Sequence, residues 1–304
     1  MKKILFFALA LANQMAFSQR VEVISNEEIP VSASNGYLNS VLSPSGDYVL
    51  VTKVNGDLQK YDLTTKKLTT VLPDIGINHA VQISSDGSTI VYQEKKYINK
   101  LRYTTLKTRN LDTGEETTLI KETRDLEGVS MKEGTVLAVE NGKLKTKEVA
   151  GKKLAVTPPI TSIQQGQLYI TVGNDRRQLS PAGTSVSYLW NSVSPDGTKI
   201  LYYVIEHGKA YVCDIDGSNP ASLGVLRAGK WMGNNWIIGM VDQDNGEVLT
   251  ASKIVVAAAD GTSRTYLTDD SVIATNPTAS ADASKIVYNT ADGRIFLMKI
   301  KTNK

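Results

Sequence analysis

Histidine and cysteine are scarce in this 304-residue chain, which contains only two histidines and one cysteine. One cysteine excludes an intramolecular disulfide and a cysteine-based zinc site. The two histidines, His79 and His207, are too few for a multi-histidine metal centre. The sequence also has no G-x-S-x-G, H-E-x-x-H or G-x-x-x-x-G-K-[ST] motif, so these signatures of hydrolases, zinc peptidases and P-loop enzymes are missing. Cys213 lies in a strand-like run and is expected to be a buried, inert thiol.

Long apolar runs are rare as well, and the one that stands out is residues 4–12. It follows Lys2 and Lys3 and precedes the small residues Ala16 and Ser18, a pattern that predicts a signal peptide over residues 1–18. The run falls short of the roughly 20 apolar residues of a membrane anchor. We therefore expect an exported protein, periplasmic or secreted, cleaved near Ser18.

The charge of the chain is close to balanced. Removal of Lys2 and Lys3 with the signal peptide lowers the formal net charge from +3 to +1. A near-neutral surface gives no electrostatic reason to expect nucleic acid or an anionic membrane as a partner. No other segment approaches membrane-spanning length, so no membrane span is expected.

The body of the chain repeats one pattern: an apolar strand, a Ser-rich turn and a second apolar strand. The clearest copies are LNSVLSPSGDYVLVT at 38–52, AVQISSDGSTIVY at 80–92 and LWNSVSPDGTKILYY at 189–203. The turns lie at Gly46, Gly87, Gly134, Gly197, Asn235 and Ala283. Their intervals are 38 to 48 residues, apart from one of 63, and this period is typical of propeller blades.

Turn chemistry supports the repeat, because Pro presets φ, Asp bonds its own backbone and Gly accepts a positive φ. A second hairpin follows in several units, at residues 57–72, 106–119, 210–223 and 253–267. Four strands per unit predict an all-β propeller of four-stranded antiparallel blades, in one domain over residues 19–304.

Blade number and ring closure depend on two parts of the chain. The 63-residue interval holds either a hairpin inserted in a six-bladed ring, which we favour, or a truncated seventh blade. The last unit has three strands, so residues 21–24 or 29–31 are expected to supply its outer strand.

The turn Ser-Pro-Asp-Gly at 194–197, followed by TKILY, resembles the Pro-Asp propeller repeat of TolB and its relatives. The resemblance recurs at residues 43–50 and 84–92, and weakly at 280–288. It implies a propeller of the periplasm, since TolB belongs to the Tol–Pal envelope system. TolB carries an α/β domain before its propeller. Only about fifteen residues separate Ser18 from the first repeat, so a stand-alone exported propeller is expected.

Loops that enter the first strand of a unit or leave the second usually form the recognition face of a propeller. Trp and Tyr suit peptide or sugar binding, although Trp190 and Trp231 also fit a core position between blades. The residues assigned to this loop face are Tyr37, His79, Tyr188, Trp190, Lys230, Trp231, Asp242, Asp244 and Asn276.

Two functional hypotheses follow. The first is a non-enzymatic binding module that recognises an envelope protein, a peptide or a cell-wall glycan on the loop face. The alternative is a divergent carbohydrate-active lyase or hydrolase that uses Asp242 or Asp244 with His79 or Tyr188. No cofactor is expected, except that calcium at Asp242 and Asp244 stays open. The Asp-rich segment 214–219 is read as a turn.

Overall fold

The computed structural model describes residues 20–31, 37–54, 56–73, 80–150 and 154–303. The predicted signal peptide lies outside the described residues. The part of the chain that is described forms 26 strands in seven antiparallel sheets. Within it, no helix is long and apolar enough to cross a membrane.

The strands are numbered in chain order. Their bounds, from β1 to β26, are Arg20–Glu28, Tyr37–Leu42, Tyr48–Lys53, Leu58–Asp62, Leu68–Leu72, Gln82–Ile83, Thr89–Ile98, Leu101–Asn110, Glu116–Thr123, Leu126–Lys132, Thr135–Glu140, Lys143–Glu148, Ile160–Gln164, Gln167–Val172, Asp175–Leu179, Tyr188–Val193, Lys199–Val204, Lys209–Asp214, Ala221–Gly224, Arg227–Met232, Trp236–Asp244, Leu249–Ala258, Arg264–Tyr266, Ala274–Ala279, Lys285–Thr290 and Ile295–Asn303.

Each sheet is one blade of a propeller. Blade 1 contains β2–β5, blade 2 β6–β9, blade 5 β16–β19 and blade 6 β20–β23. Blades 3 and 4 have three strands each within the described residues, β10–β12 and β13–β15. Blade 7 contains β24–β26, with β1 as its outermost strand. The prediction of a propeller with four-stranded antiparallel blades is thus confirmed.

The favoured count of six blades was wrong, and the ring has seven. The long interval between Gly134 and Gly197 contains β13–β15, where the sequence predicts an inserted hairpin or a truncated blade. These strands form a separate blade because β13 packs between the innermost strands of blades 3 and 5. Its turn, at Gln165 and Gly166, lacks the Ser-rich signature of the other units.

Strand β1 closes the ring, as the sequence predicted for residues 21–24. It pairs with β26 from Arg20↔Asn303 to Glu28↔Phe296, with a bulge after Val23. The first and last strands of the described chain therefore share one blade.

Seven hydrophobic clusters fill the described part of the ring, one between each pair of neighbouring blades. At the closure, Val287 and Ile295 of blade 7 pack on Val49 and Val51 of blade 1. The near-continuous apolar runs of the second strands are buried on both faces because each blade is covered by two others. Cys213 is buried between blades 4 and 5, as expected, and burial raises its pKa to about 12.

The Ser-rich turns owe their shape to side-chain hydrogen bonds. The Ser194 hydroxyl accepts the N–H groups of Thr198 (3.2 Å) and Lys199 (3.0 Å), and donates to Asp196 (2.6 Å). Gly197 has a φ of 78°, which a side chain would strain. Ser-to-Asp bonds of 2.6 Å also hold the turns at Ser84 and Ser280. This agreement confirms that these motif residues build turns.

The ring has two faces. The innermost strands of six blades begin at one face, which also carries the hairpins between second and third strands; we call it the loop face. The Ser-rich turns lie on the opposite side, the turn face.

Blade 4 runs in the opposite direction to its neighbours. Pro159, just before β13, lies beside Gly197 in the turn-face turn of blade 5. The hairpin after β13 reaches the loop face, where the Tyr188 N–H donates to the Gly166 carbonyl (2.8 Å). A blade with three strands leaves the chain at the face opposite to the one where it entered. Two such blades in succession bring the chain back to the loop face, where β16 begins.

Candidate functional site

A cavity of about 380 Å³ lies on the propeller axis. Every blade contributes to its wall through its innermost strand or the residue just before that strand, so the cavity is a property of the closed ring. Its lining residues are Val41, Val81, Gln82, Val129, Ser130, Ile160, Thr161, Asn191, Ser192, Val193, Lys230, Trp231 and Thr278. None of these residues is acidic.

Lys230 is the one charged residue in this lining. It lies on β20 opposite Ile238, and it is partly buried. In the described part of the chain its ammonium group has no hydrogen bond and no ion pair. Burial lowers the pKa of Lys230 to about 8, because removal from water disfavours the charged form. The amine is still mostly protonated at pH 7, so the cavity holds a positive charge without a protein counter-ion.

Several polar groups of the wall are used to join the blades. Gln82 donates to the Val129 carbonyl (3.0 Å) and accepts the Met131 N–H (2.8 Å), which ties blade 2 to blade 3. The Thr278 hydroxyl accepts the Leu42 N–H across the closure (2.9 Å). These bonds fix the wall, which is therefore preformed before a ligand arrives.

The two ends of the cavity differ in polarity. Towards the loop face it adjoins a polar pocket of about 240 Å³, lined in part by Gln93, Glu127 and Asn191. Towards the turn face lies an apolar pocket of about 170 Å³ beside Pro44 and Ala281. A polar ligand would therefore enter the cavity from the loop face, where the adjoining pocket is polar.

A second buried amine, Lys132, lies at the turn-face end of β10. Its amine reaches from blade 3 to the Ser194 carbonyl of blade 5 (2.8 Å). Burial lowers the pKa of Lys132, although the charges of Asp196 and Glu133 oppose that shift. Because this amine is already engaged, Lys230 remains the cation available in the cavity.

Trp231 lies in the cavity wall and also between two blades. Its indole N–H donates to the Ser192 carbonyl on blade 5 (3.3 Å). The side chain is half-buried, and it packs against the cluster between blades 5 and 6. Both interpretations of this residue, cavity lining and wedge between blades, therefore apply.

Trp190 and Asn276 lie at bulges of the innermost strands, where the backbone is left-handed. Their φ angles are 47° and 51°. Trp190 is 43% exposed and packs edge-on against Tyr203, with ring centroids 4.8 Å apart. Neither residue lines the axial cavity, whereas Asn191, next to Trp190, does.

Tyr188 has no solvent-exposed surface. Its hydroxyl donates to the Gly183 carbonyl (2.7 Å) and accepts the Ala182 N–H (3.1 Å). The side chain thus packs between blades 4 and 5 and anchors the loop before β16, away from any open surface. Tyr37 begins β2, opposite Lys53. His79 lies outside the described residues.

Asp242 and Asp244 occupy different environments at the end of β21. The side chain of Asp242 is 9% exposed and pairs with Arg227 at 3.2 Å. Asp244 is exposed and accepts the Gly246 N–H (3.0 Å), which shapes the hairpin tip. Among the described residues no group of three or more His, Cys, Asp or Glu side chains is placed to hold a metal. The calcium hypothesis stays a prediction.

Sequence reasoning assigned Lys230 and Trp231 to the recognition surface but missed Gln82, Ser130 and Asn191. The sequence contains a signal that identifies these three residues. Each is a polar residue in an innermost strand, two or three positions before the turn, where an apolar residue would otherwise be expected.

No protein family's sequence profile matches the chain. No curated protein matches it in sequence. Solved structures do match its fold. It is similar to TolB from Acinetobacter baumannii, with 15% identity and a TM-score of 0.52 over 77% of this chain and 54% of that one. The chain thus spans about half the length of that TolB. The likeness shows a shared propeller fold.

Two further solved structures are oligogalacturonate lyases. One is in complex with manganese, with 15% identity and a TM-score of 0.49 over 88% of this chain and 78% of that one. The other, from Vibrio parahaemolyticus, has 13% identity and a TM-score of 0.48 over 87% and 78%.

Proposed function

We propose that this protein is a non-enzymatic binding module that takes a carboxylate-bearing ligand into the axial cavity from the loop face. The supporting observation is Lys230, a cation that has no counter-ion among the described residues and that lies in a preformed, largely apolar cavity. A carboxylate would supply the missing partner through a charge-assisted hydrogen bond.

An acidic segment of an envelope protein or peptide is the ligand we favour. The cavity volume of about 380 Å³ lies in the usual range of small-ligand pockets and suits one or two residues of a chain. Trp231 offers an indole surface in the wall of the same cavity. With the predicted signal peptide, these features favour recognition in the periplasm or outside the cell.

The contacts of Asp242 and Tyr188, two of the residues proposed for catalysis, support binding rather than turnover. An Asp242-based enzyme needs a second proton-transfer group within hydrogen-bond reach. Asp242 is paired with Arg227, and the Tyr188 hydroxyl is bonded to residues 182 and 183. No polar contact joins Asp242 to Tyr188 in the described part of the chain.

Titration calorimetry with a tetraglutamate peptide tests this proposal. We expect the tetraglutamine peptide to bind at least tenfold more weakly, because it lacks the charge. Lys230→Met keeps the length of the side chain and removes the amine, so it should weaken tetraglutamate binding at least tenfold. Since the pKa of Lys230 is about 8, affinity should fall about tenfold between pH 7 and pH 9 as the amine loses its proton.

Lys209→Met is the matched control, because Lys209 is exposed at the start of β18 and should leave the affinity unchanged. A digalacturonate sugar carries the same carboxylate and separates a glycan ligand from a peptide. Equal affinity of wild type and Lys230→Met would refute the proposal, and so would release of product from either ligand.

A further inference from the structure

Two hairpins on the loop face are longer than the others. In blade 2, β7 and β8 pair from Thr89↔Asn110 out to Ile98↔Leu101. In blade 6, β21 and β22 pair from Trp236↔Ala258 to Asp244↔Leu249. The corresponding strands of blade 5 have six residues each. At about 3.4 Å per residue, the extra four residues of β7 extend the blade 2 hairpin about 14 Å further.

The base of the blade 2 hairpin is held by a network of charged groups. The Lys107 amine donates to Glu94 (2.9 Å) and Glu116 (3.0 Å), and the Tyr92 hydroxyl donates to Glu116 (2.5 Å). These hydrogen bonds outweigh burial and lower the pKa of Glu116. With Arg109, whose guanidinium lies 3.9 Å from Glu116, the network contains two cations and two anions. It therefore fixes the hairpin without offsetting the charge beyond it.

The outer part of this hairpin, residues 95–103, is basic, and we call it the basic finger. It contains Lys95, Lys96, Lys100 and Arg102, all exposed, and no acidic residue. Lys96 lies 3.7 Å from Glu122 on β9, across the intervening strand β8, in an exposed ion pair of small energy. The finger therefore carries a concentrated positive charge in a chain whose total charge is small.

Apolar side chains stand at the apex of the basic finger. Tyr97 is 70% exposed, and Leu101, next to the turn at Asn99 and Lys100, is 41% exposed. Lysine stems can lie along an apolar layer while their amines stay in water. Tyr is favoured at the level of lipid headgroups, and each basic residue near an anionic bilayer strengthens binding.

The blade 6 hairpin has the opposite character. Its tip carries Asp244 and Glu247, both exposed, while Asp242 is paired with Arg227. The near-neutral net charge thus conceals a loop face with one basic and one acidic projection. Salt screens the electrostatic field of each hairpin beyond its immediate surroundings, because the Debye length is about 8 Å at physiological salt.

We propose that the basic finger docks on the anionic phospholipid headgroups of a membrane surface, with Tyr97 and Leu101 inserted at headgroup level. A bilayer accommodates a narrow projection with an apolar apex and a basic collar, whereas a folded acidic partner would need a groove shaped to it. The contact is peripheral, uses no membrane span and does not depend on the ligand of the axial cavity.

Flotation of the full chain with vesicles tests the proposal. Vesicles of 30% phosphatidylglycerol and 70% phosphatidylcholine should bind the wild type at least tenfold more tightly than pure phosphatidylcholine. The triple variant Lys96→Gln, Lys100→Gln, Arg102→Gln should weaken this binding at least tenfold. Tyr97→Ser with Leu101→Ser should weaken it at least fivefold at unchanged charge. Circular dichroism melts check that both variants are folded.

A matched control lies in the other hairpin. Asp244→Asn with Glu247→Gln raises the net charge by two, yet it should change vesicle affinity by less than twofold because the contact is local. Tyr97→Trp adds a probe at the apex, and its emission should shift to the blue on anionic vesicles only.

Three results would overturn the proposal. The first is no preference for anionic vesicles. The second is full binding by the Tyr97 and Leu101 double variant, which would leave only non-specific charge attraction. The third is tight capture of soluble polyglutamate that the triple variant of Lys96, Lys100 and Arg102 loses, together with weak vesicle binding, which would assign the finger to an acidic protein.

Discussion

At the scale of single residues, Lys230 combines two properties that oppose each other. Its position next to Trp231 on β20 gives the cavity its charge, and the same position withdraws that charge from water. Functional residues are often held in such unfavourable surroundings, which the rest of the fold must offset. The free protein should therefore be less stable with this lysine than without it.

Lys230→Met is expected to raise the free energy of unfolding by about 1–2 kcal/mol at pH 7. The pKa difference alone implies about 3 kcal/mol, and the residual solvent contact of the side chain reduces it. The folded-state pKa lies below the unfolded value of 10.5, so wild-type stability should rise from pH 8 to pH 10.5 relative to the variant. Urea unfolding at pH 7, 9 and 10.5 measures this convergence. A pH-independent difference would contradict it.

At the scale of elements, the Ser-rich turn is the unit that the sequence predicts best. Ser84, Ser194 and Ser280 are all buried, and each hydroxyl accepts backbone N–H groups that the turn leaves without partners. The spacing of Ser and Asp in these turns can be recognised in the sequence, because every hydrogen bond spans at most five residues. Bonds of that range depend little on the remainder of the fold.

Ser194→Ala should lower the free energy of unfolding by about 1–3 kcal/mol. It leaves the Lys199 N–H without its acceptor beside a buried side chain, whereas the Thr198 N–H keeps its bond to Asp196 (3.1 Å). Ser218→Ala is the control, since Ser218 donates to Asp216 in an exposed turn and should cost less than about 0.5 kcal/mol. Urea unfolding compares the two variants. Equal losses of stability would show that the burial of the serine hydroxyl does not increase its contribution to the turn.

Long-range partners explain what the sequence did not predict. The burial of Tyr188 depends on its packing with Leu168 and Ile170 of blade 4, and the pairing of Asp242 depends on the register that sets Arg227 opposite Met240. Neither relation has a local signal. The recognition surface was therefore predicted as a region, whereas its members had to be sorted by the structure.

At the scale of the whole molecule, the number of strands was predictable and their division into blades was not. Six four-stranded blades with an inserted hairpin contain 26 strands, the same number as the described residues form. Their division depends on which strand reaches the axis, and β13 does so only because blade 3 ends at the turn face. The position of β13 at the axis therefore depends on the neighbouring blade. The pattern of strands within one segment of the sequence cannot predict it.

The seam between blades 3 and 4 is the least apolar of the ring. Its buried cluster holds only Leu137, Val139 and Ile160. Around it, four buried polar atoms have no hydrogen-bond partner, in the side chains of Thr135, Ser162, Thr171 and Arg176. Few apolar contacts and unpartnered polar groups mark regions of low local stability.

Hydrogen exchange followed by mass spectrometry should locate the first opening of the ring at this seam. We expect amides of β11, β13 and β14 to exchange at least tenfold faster than those of β17 and β21, which occupy well-packed seams. The comparison is internal, because all five strands lie in the inner half of their blades. Uniform protection would show that the ring opens as one unit or elsewhere.

Ring closure also determines how the protein responds to mechanical force. Arg20 pairs with Asn303, so the outer ends of β1 and β26 lie side by side at one end of their ladder. A load applied at these two points would peel the strands apart like a zipper, breaking one hydrogen-bonded pair at a time. If the force instead pulled the two strands along their length in opposite directions, all the hydrogen bonds of the ladder would have to break together. Tethered at these two ends, the propeller would therefore open at low force, beginning with blade 7.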